Sequence, residues 1–354
     1  MANAAGYHGI TFLPYAGEVT SEVRLVNGAL IADLMGKWVA GQPVIRRVIE
    51  PMAGSGFYAN FVRATGFRGA MQVNDMNPLV TWTQREIVTQ PDRVKHFVES
   101  IKTNLASLAN QDSAGFFDSQ TLRVRFDTEA QAQAFIESEK ASQLREDIKN
   151  YFYRVIDNHF QLAPDRIDIR SELSEVDARA FLAAAFYIIQ HNSARHAPVV
   201  INSLGRLNLP LSCVNRDRRF VYLLGSGLTN LDHFNYMSHI HTAQTAGTVF
   251  SSVDGWDLLK PADGMTAVGD LVIISGHFSS VYLTEAQFMG KIKEHVVPFI
   301  KHGGRAIIIN AYSNYKAEEF SALGLRVFEL RSPNTAYLLA VNTQVVTDVA
   351  LPDN

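Results

Sequence analysis

A strand that runs into a glycine turn and then a helix constrains this chain more than any other feature. Val44 to Glu50 reads as a buried strand, Pro51-Met52-Ala53-Gly54-Ser55-Gly56 as the turn, and the apolar spacing from Phe57 to Val62 as a helix. Glycines directly after a strand let the backbone turn sharply and approach a ligand closely, and the helix N-terminus behind them offers free N–H groups to polar atoms. A second strand, Gly69 to Val73, ends in Asn74-Asp75-Met76-Asn77-Pro78 and leads into a helix through Trp82, Ile87, Val94, Phe97 and Ile101. This β-α-β order implies a parallel sheet. Asp75 stands about twenty residues beyond the glycines, where a carboxylate can accept both hydroxyls of a ribose. The pattern is neither GxGxxG nor GxxxxGK(S/T), so it suits a nucleoside-type cofactor better than a pyrophosphate or a P-loop nucleotide. Taken alone, the glycines also fit a plain tight turn, and Asp75 a helix cap.

From about residue 112 to 215 the alternation gives way to polar helical stretches. These are Glu129 to Asn158 and then Asp177 to Asn192, where Ala178, Phe181, Leu182, Ala185 and Ile189 share one face. Strands return at Leu271 to Ile274, Arg305 to Ile309, Leu325 to Leu330 and Thr335 to Val341, with Ser332-Pro333-Asn334 turning the last two into a hairpin. A parallel nucleotide-binding sheet that ends in an antiparallel strand is the arrangement methyltransferases use, although periodicity does not separate it from other doubly wound folds. The expected organisation is an α/β, Rossmann-like methyltransferase fold with a mixed seven-stranded sheet, formed by residues 1–111 and 216–354. Residues 112–215 would form a helical, target-recognition-like insertion.

Composition narrows the classes. With 354 residues, 47% of them hydrophobic, the chain can bury a large core. Its single cysteine, Cys213, cannot pair within the chain, and no Cys/His cluster has zinc spacing, so no structural metal and a reducing, cytoplasmic setting are expected. Cys213 itself reads as a small buried apolar residue. No stretch reaches the roughly 18 apolar residues of a membrane span. The formal net charge of -3 leaves any DNA contact to local patches such as Arg216, Arg218 and Arg219. His239 and His241 alternate as in a strand, and no third ligand at suitable spacing accompanies them.

Glu50-Pro51 before the glycines and Asn74-Asp75-Met76-Asn77 after the second strand together resemble the cofactor motifs EPFxGxG and NDxN of Dam-like DNA adenine-N6 methyltransferases. The resemblance covers most of the chain in the family's order. Phe12-Leu13-Pro14-Tyr15-Ala16-Gly17 is similar to FLxWAGGK, with Glu18 and Val19 where the family has glycine and lysine. Tyr151-Phe152-Tyr153-Arg154, the helix Phe181 to Asn192, and Asn202 to Pro210 resemble the tyrosine-rich segment, a helix ending in FNG, and the NxxGxFNVP hairpin. The resemblance implies S-adenosylmethionine as cofactor, held by Tyr15, Ala16, Gly17, Glu50, Pro51, Gly54, Gly56 and Asp75. Asp254, after the strand Val249 to Asp254, would read the adenine, with Asp257 as the spare acid. It also implies double-stranded DNA as partner, contacted by Arg195, His196, Asn202 and Arg206.

One motif departs. Gly269 to Ile274 resembles the strand leading into the family's DPPY, but Ser275-Gly276-His277-Phe278 follows. In the family the acid and the first proline's carbonyl hold the amine of a flipped adenine while the tyrosine stacks on the base. Phe278 retains stacking, yet Ser275 and Gly276 supply no carboxylate, and both prolines that stiffen the loop are gone. His277 stands at the presumed reaction centre, as a general base or as a histidine in a remodelled loop. The expectation is therefore a DNA base-modifying transferase, of the kind that builds hypermodified bases in phage DNA, rather than an ordinary adenine methylase. Two alternatives stand beside it. One is a catalytically inactive homologue that binds DNA or a partner enzyme. The other is an adenine-N6 methyltransferase in which Asn310 or Ser313-Asn314 polarises the amine.

Overall fold

The computed structural model describes residues 35, 36, 39–41, 45–110, 116–118, 121–194, 198–224, 231–243, 247–260, 266–276, 283–311, 317–331 and 336–342. In chain order its elements begin with β1 (Arg47–Glu50), α1 (Phe57–Ala64), β2 (Ala70–Asn74), α2 (Pro78–Thr89) and α3 (Pro91–Asn110). There follow β3 (Phe116–Asp118), β4 (Arg123–Arg125), α4 (Glu129–Ile136), α5 (Glu139–His159), β5 (Phe160–Ala163), β6 (Arg166–Ile169) and α6 (Glu175–His191). The chain then forms β7 (Asn215–Asp217), β8 (Phe220–Tyr222), α7 (His233–Thr242), β9 (Thr248–Ser251) and β10 (Asp270–Gly276). It closes with α8 (Glu285–Lys291), a π turn (Ile292–Val296), α9 (Val297–Lys301), β11 (Arg305–Ala311), α10 (Ala317–Ser321), β12 (Leu325–Arg331) and β13 (Ala336–Asn342).

Contacts divide the chain into two compact units. One takes in the described parts of residues 17–76 and 239–354, and the other Asn77–Ser238. Residues 77–111 and 216–238, expected with the first domain, thus cluster with the second unit.

The first unit is built on a mixed, mostly parallel seven-stranded sheet in the order β12-β13-β11-β10-β1-β2-β9. The pairs β1/β10, β1/β2, β10/β11 and β2/β9 are parallel, while β13 runs antiparallel to both β11 and β12. Ranked by order along the chain, the strands stand as 3-2-1-4-5-7-6. The first five follow the doubly wound order, in which the chain builds outward from the centre to one side and returns to build the other. The reversal lies between β1 and β10. Leu271 to Ile274 and Ala306 to Ile309 are almost fully inaccessible, which explains why these strands read as continuous apolar runs rather than as alternation. Val272, Ile274, Ala306, Ile308, Leu338 and Ala340 face one core with Trp256, Phe288, Phe299 and Phe320.

At the other end of the sheet a polar chain locks α1 to β9. The guanidinium of the buried Arg63 donates to the carbonyls of Phe67 (3.0 Å), Gly69 (2.9 Å) and Gly247, and to Thr248 Oγ1 (3.1 Å). Thr248 Oγ1 lies 2.8 Å from His241 Nδ1, and His241 Nε2 lies 2.6 Å from Asn60 Oδ1. A hydroxyl that accepts from arginine donates to Nδ1, which leaves the proton on Nε2 for Asn60: the histidine is neutral. Burial, reinforced by Arg63, pushes its pKa down to about 3. The strand-like alternation of His239 and His241 is overturned. Both lie on α7, where residues two apart do not share a face, His239 is exposed and His241 is buried.

The second unit packs α2, α3 and α6 against one another. The apolar face expected for α6 is too narrow, since every residue from Ala180 to Gln190 is buried, and the alanines let neighbours close in all round. The single helix expected through Trp82 and Ile101 is two. Pro91 opens α3, and the residue before a proline is pushed out of helical geometry, which ends α2 at Thr89. The stretch from Glu129 likewise breaks at Ser138, whose Oγ accepts the Ala141 N–H at 3.3 Å and caps α5. The insertion expected to be helical, residues 112–215, also carries the hairpin β5-β6 and the strands β3 and β4, which join β8 and β7, at and beyond its expected end, in a four-stranded antiparallel sheet, β3-β4-β8-β7. Strands of three or four residues are too short for a two-residue period to register.

Candidate functional site

Parallel strands bring their carboxyl ends to one edge, so Glu50, Asn74, Ser251 and Gly276 terminate β1, β2, β9 and β10 together. The turn after β1 is held in shape from several sides. Gly54 (φ 49°) and Gly56 (φ 70°) both occupy the left-handed region that favours glycine. Gly56 is the N-cap of α1 and has no side chain to satisfy its amides; Glu50 Oε2 does so, accepting the Ala59 N–H at 2.8 Å. Glu50, expected at the cofactor, is thus buried beneath the helix N-terminus with its carboxyl turned to that amide. Ser55 Oγ adds a contact to the Phe57 N–H at 3.3 Å.

Asp75 lies next to that turn, half-buried, with Oδ2 accepting the Gly54 N–H at 2.9 Å. The carboxylate expected to meet a ribose therefore also fixes the glycine that a ligand would approach.

Beside it, Asn74 is completely buried and joins three strand ends. Its Nδ2 donates to Pro51 O (2.9 Å) and Val253 O (3.0 Å), and its Oδ1 accepts from Ser251 Oγ (2.8 Å) and the Val253 N–H (3.0 Å). Sequence reasoning found Asn74 as part of a motif without this role. Its partners after β9 lie far away along the chain.

Asp254 falls three residues beyond the end of β9 rather than on it. It is exposed, and its Oδ1 accepts the Trp256 N–H at 3.0 Å, forming an Asx turn. Asp257, the spare acid, pairs with Lys260 at 2.5 Å, which holds its carboxyl below the usual range. Trp256 is core, with its ring 6.0 Å from Phe288 and stacked 5.7 Å from His295. Two exposed apolar side chains that the sequence did not single out flank this edge: Met76, 73% accessible, and Val253, 45%.

Gly255 makes the approach of this loop to the turn possible. A Cβ there would lie 2.2 Å from Pro51 O, a contact no side chain tolerates. Gly255→Ala must push the two loops apart. The expected cost is about 1–3 kcal/mol, typical of overpacking, read as a lower urea midpoint with an unchanged slope.

Of the remaining expected residues, Ser275 is still within β10, opposite Ile309, and Gly276 is opposite Asn310. Tyr15, Ala16, Gly17, Arg195, His196, His277 and Phe278 lie outside the described residues, as do Ser313 and Asn314. In the second unit, Asn202 Oδ1 accepts the N–H groups of Leu204 (2.9 Å) and Arg206 (3.0 Å), so Asn202 shapes a hairpin tip at which Arg206 and Leu204 are exposed. Cys213 is buried, and burial raises its thiol pKa. Among the described residues no group of three or more His, Cys, Asp or Glu side chains is arranged to hold a metal ion. No helix among them is long and apolar enough to cross a membrane.

No protein-family model matches this chain, and no curated protein is significantly similar to it. The functional reading therefore rests on the carboxyl edge itself.

Proposed function

We propose that this protein is a DNA base-modifying transferase on a methyltransferase-like scaffold, binding S-adenosylmethionine at the carboxyl edge of β1 and β2. The carrying observation is the Gly54-Ser55-Gly56 turn, tied to Asp75 and standing beside the strand-order reversal, where doubly wound sheets bind ligands. The reversed β13 inside the sheet supports the methyltransferase-like reading, since this is the arrangement such enzymes use.

The residues present fit a nucleoside. Gly54 offers a backbone without a side chain, Asp75 an acceptor for ribose hydroxyls, and Asp254 an acceptor for an exocyclic amine. Met76 and Val253 offer apolar surface for a purine ring. S-adenosylmethionine would supply an electrophilic carbon activated by its sulfonium. The chain's own part is to hold the nucleoside end still and to present the acceptor base from the end of β10, where Ser275 replaces a carboxylate. Ser275 can neither accept the amine's proton nor polarise it as an acid would, and this argues against ordinary adenine methylation.

Calorimetric titration with S-adenosylmethionine and S-adenosylhomocysteine tests the pocket. Asp75→Asn is the variant of choice, because its amide oxygen can still accept from Gly54 while the charge is lost. Micromolar binding by the wild type, weakened at least about tenfold in Asp75→Asn, is expected. No binding at millimolar ligand would overturn the cofactor assignment.

A further inference from the structure

The small sheet of the second unit presents a second surface. Its pairing register sets Arg123 opposite Tyr222 and Arg125 opposite Phe220, so these four side chains share one face. The opposite face carries Val124 and Val221, both fully buried. The Arg123 guanidinium lies 5.0 Å and that of Arg219 5.5 Å from the centroid of the Phe220 ring, and the Phe220 and Tyr222 rings are 6.5 Å apart. Arg125, Arg218 and Arg219 are exposed. Arg218 turns the β7-β8 hairpin with φ 51°, a left-handed conformation that glycine or asparagine adopts more readily, and Arg216 Nη1 steadies the turn by donating to Arg218 O at 3.1 Å. Two acids share this face in the minority: Asp118, opposite Arg123, pairs with it at 3.4 Å, and Asp217 stands opposite Phe220.

We infer that this face binds a single-stranded segment of DNA, with bases stacking on Tyr222 and the Arg-covered Phe220 and with phosphates meeting Arg125, Arg218 and Arg219. In a chain of net charge -3, Arg123, Arg125, Arg218 and Arg219 gather where two aromatic rings lie, and that pairing is what unstacked bases on a phosphate backbone require. An acidic peptide would use the arginines but not the rings. The choice of DNA rests on the transferase reading above, and its test is independent of the cofactor.

The test is fluorescence anisotropy of a labelled twelve-nucleotide single strand titrated with the full chain at several salt concentrations. Arg218→Gly with Arg219→Ala should weaken binding about tenfold and reduce the salt slope by about 1.4, the effect of two lost phosphate contacts on a single strand. Tyr222→Leu should weaken binding about tenfold with the slope unchanged. Arg218→Gly relieves the left-handed strain, so the hairpin keeps its fold, and a melting curve verifies this. Variants that bind like the wild type, tighter binding to duplex, RNA or polyglutamate, or no binding by a wild type that still takes up S-adenosylmethionine would each overturn the assignment. Loss of cofactor binding alone would strike only the transferase reading.

Discussion

Asn74→Ala will unfold at a markedly lower urea concentration than the wild type and, on the proposed function, will abolish the S-adenosylmethionine binding proposed for it. The side chain makes four hydrogen bonds from a fully buried position, to the segments after β1 and β9. Removing it strands the buried Pro51 carbonyl, at about 1–3 kcal/mol for a buried group left unsatisfied, and forfeits the bonds to the part-exposed Val253 backbone and to Ser251, at about 1 kcal/mol each. Partial relaxation leaves an expected net loss of about 4 kcal/mol, a large share of a domain's stability. Asn74→Asp separates volume from hydrogen bonding: it is isosteric, but it sets a carboxylate against two carbonyls and should be no more stable than the alanine variant. A stable Asn74→Asp protein that binds cofactor normally would show that the three strand ends do not depend on this side chain.

Acid should destabilise the first unit through His241. Its pKa is held at about 3 in the folded protein against an ordinary 6.5, so the unfolded chain takes up a proton that the native state refuses. A depressed native pKa means the stability is fully present above pH 6.5 and is lost as pH falls toward 3. Between pH 7 and pH 5 the loss is about 2 kcal/mol, rising to about 4 kcal/mol at pH 3. His241→Gln cannot titrate. Its urea midpoint, though lower at neutral pH, should fall less steeply between pH 7 and pH 5 than that of the wild type. Parallel slopes for the two proteins would mean that His241 ionises in place, with Asn60 or Thr248 turning away.

Local patterns made half of this molecule readable from its residues. Gly54, Gly56 and Asp75 announce themselves because a strand, a tight turn and a carboxylate one strand later are set by spacing along the chain. The buried runs at Leu271 and Ala306 are readable for the same reason. Asn74 is different. Its role depends on Val253 coming within 3.0 Å, across an intervening second unit, and no periodicity encodes that meeting. Glu50 belonged to a legible motif, but its engagement with the Ala59 amide required knowing that α1 begins at a glycine with nothing to cap it. His239 and His241 were misread because two residues carry no period of their own; the helix that holds them is set by Phe234, Met237, Ile240 and His241 turning inward. The cluster at Arg216, Arg218 and Arg219 was legible, but its union with Arg123, Arg125 and the two rings was not, because β4 and β8 are three residues each and lie almost a hundred residues apart in sequence.

The position of β13 bears on how the chain is made. As the chain leaves the ribosome, β11 and β12 emerge first, and neither has the other as a neighbour in the finished sheet. Each must wait with an unsatisfied edge until the final described strand arrives and slots between them, its Leu338, Leu339 and Ala340 completing the core on both faces. A nascent chain stalled before residue 336 would carry two open, apolar strand edges, the condition under which chaperone capture or edge-to-edge pairing with another chain competes with folding. The sheet that bears the carboxyl edge is thus sealed only once the chain has been released through Asn342.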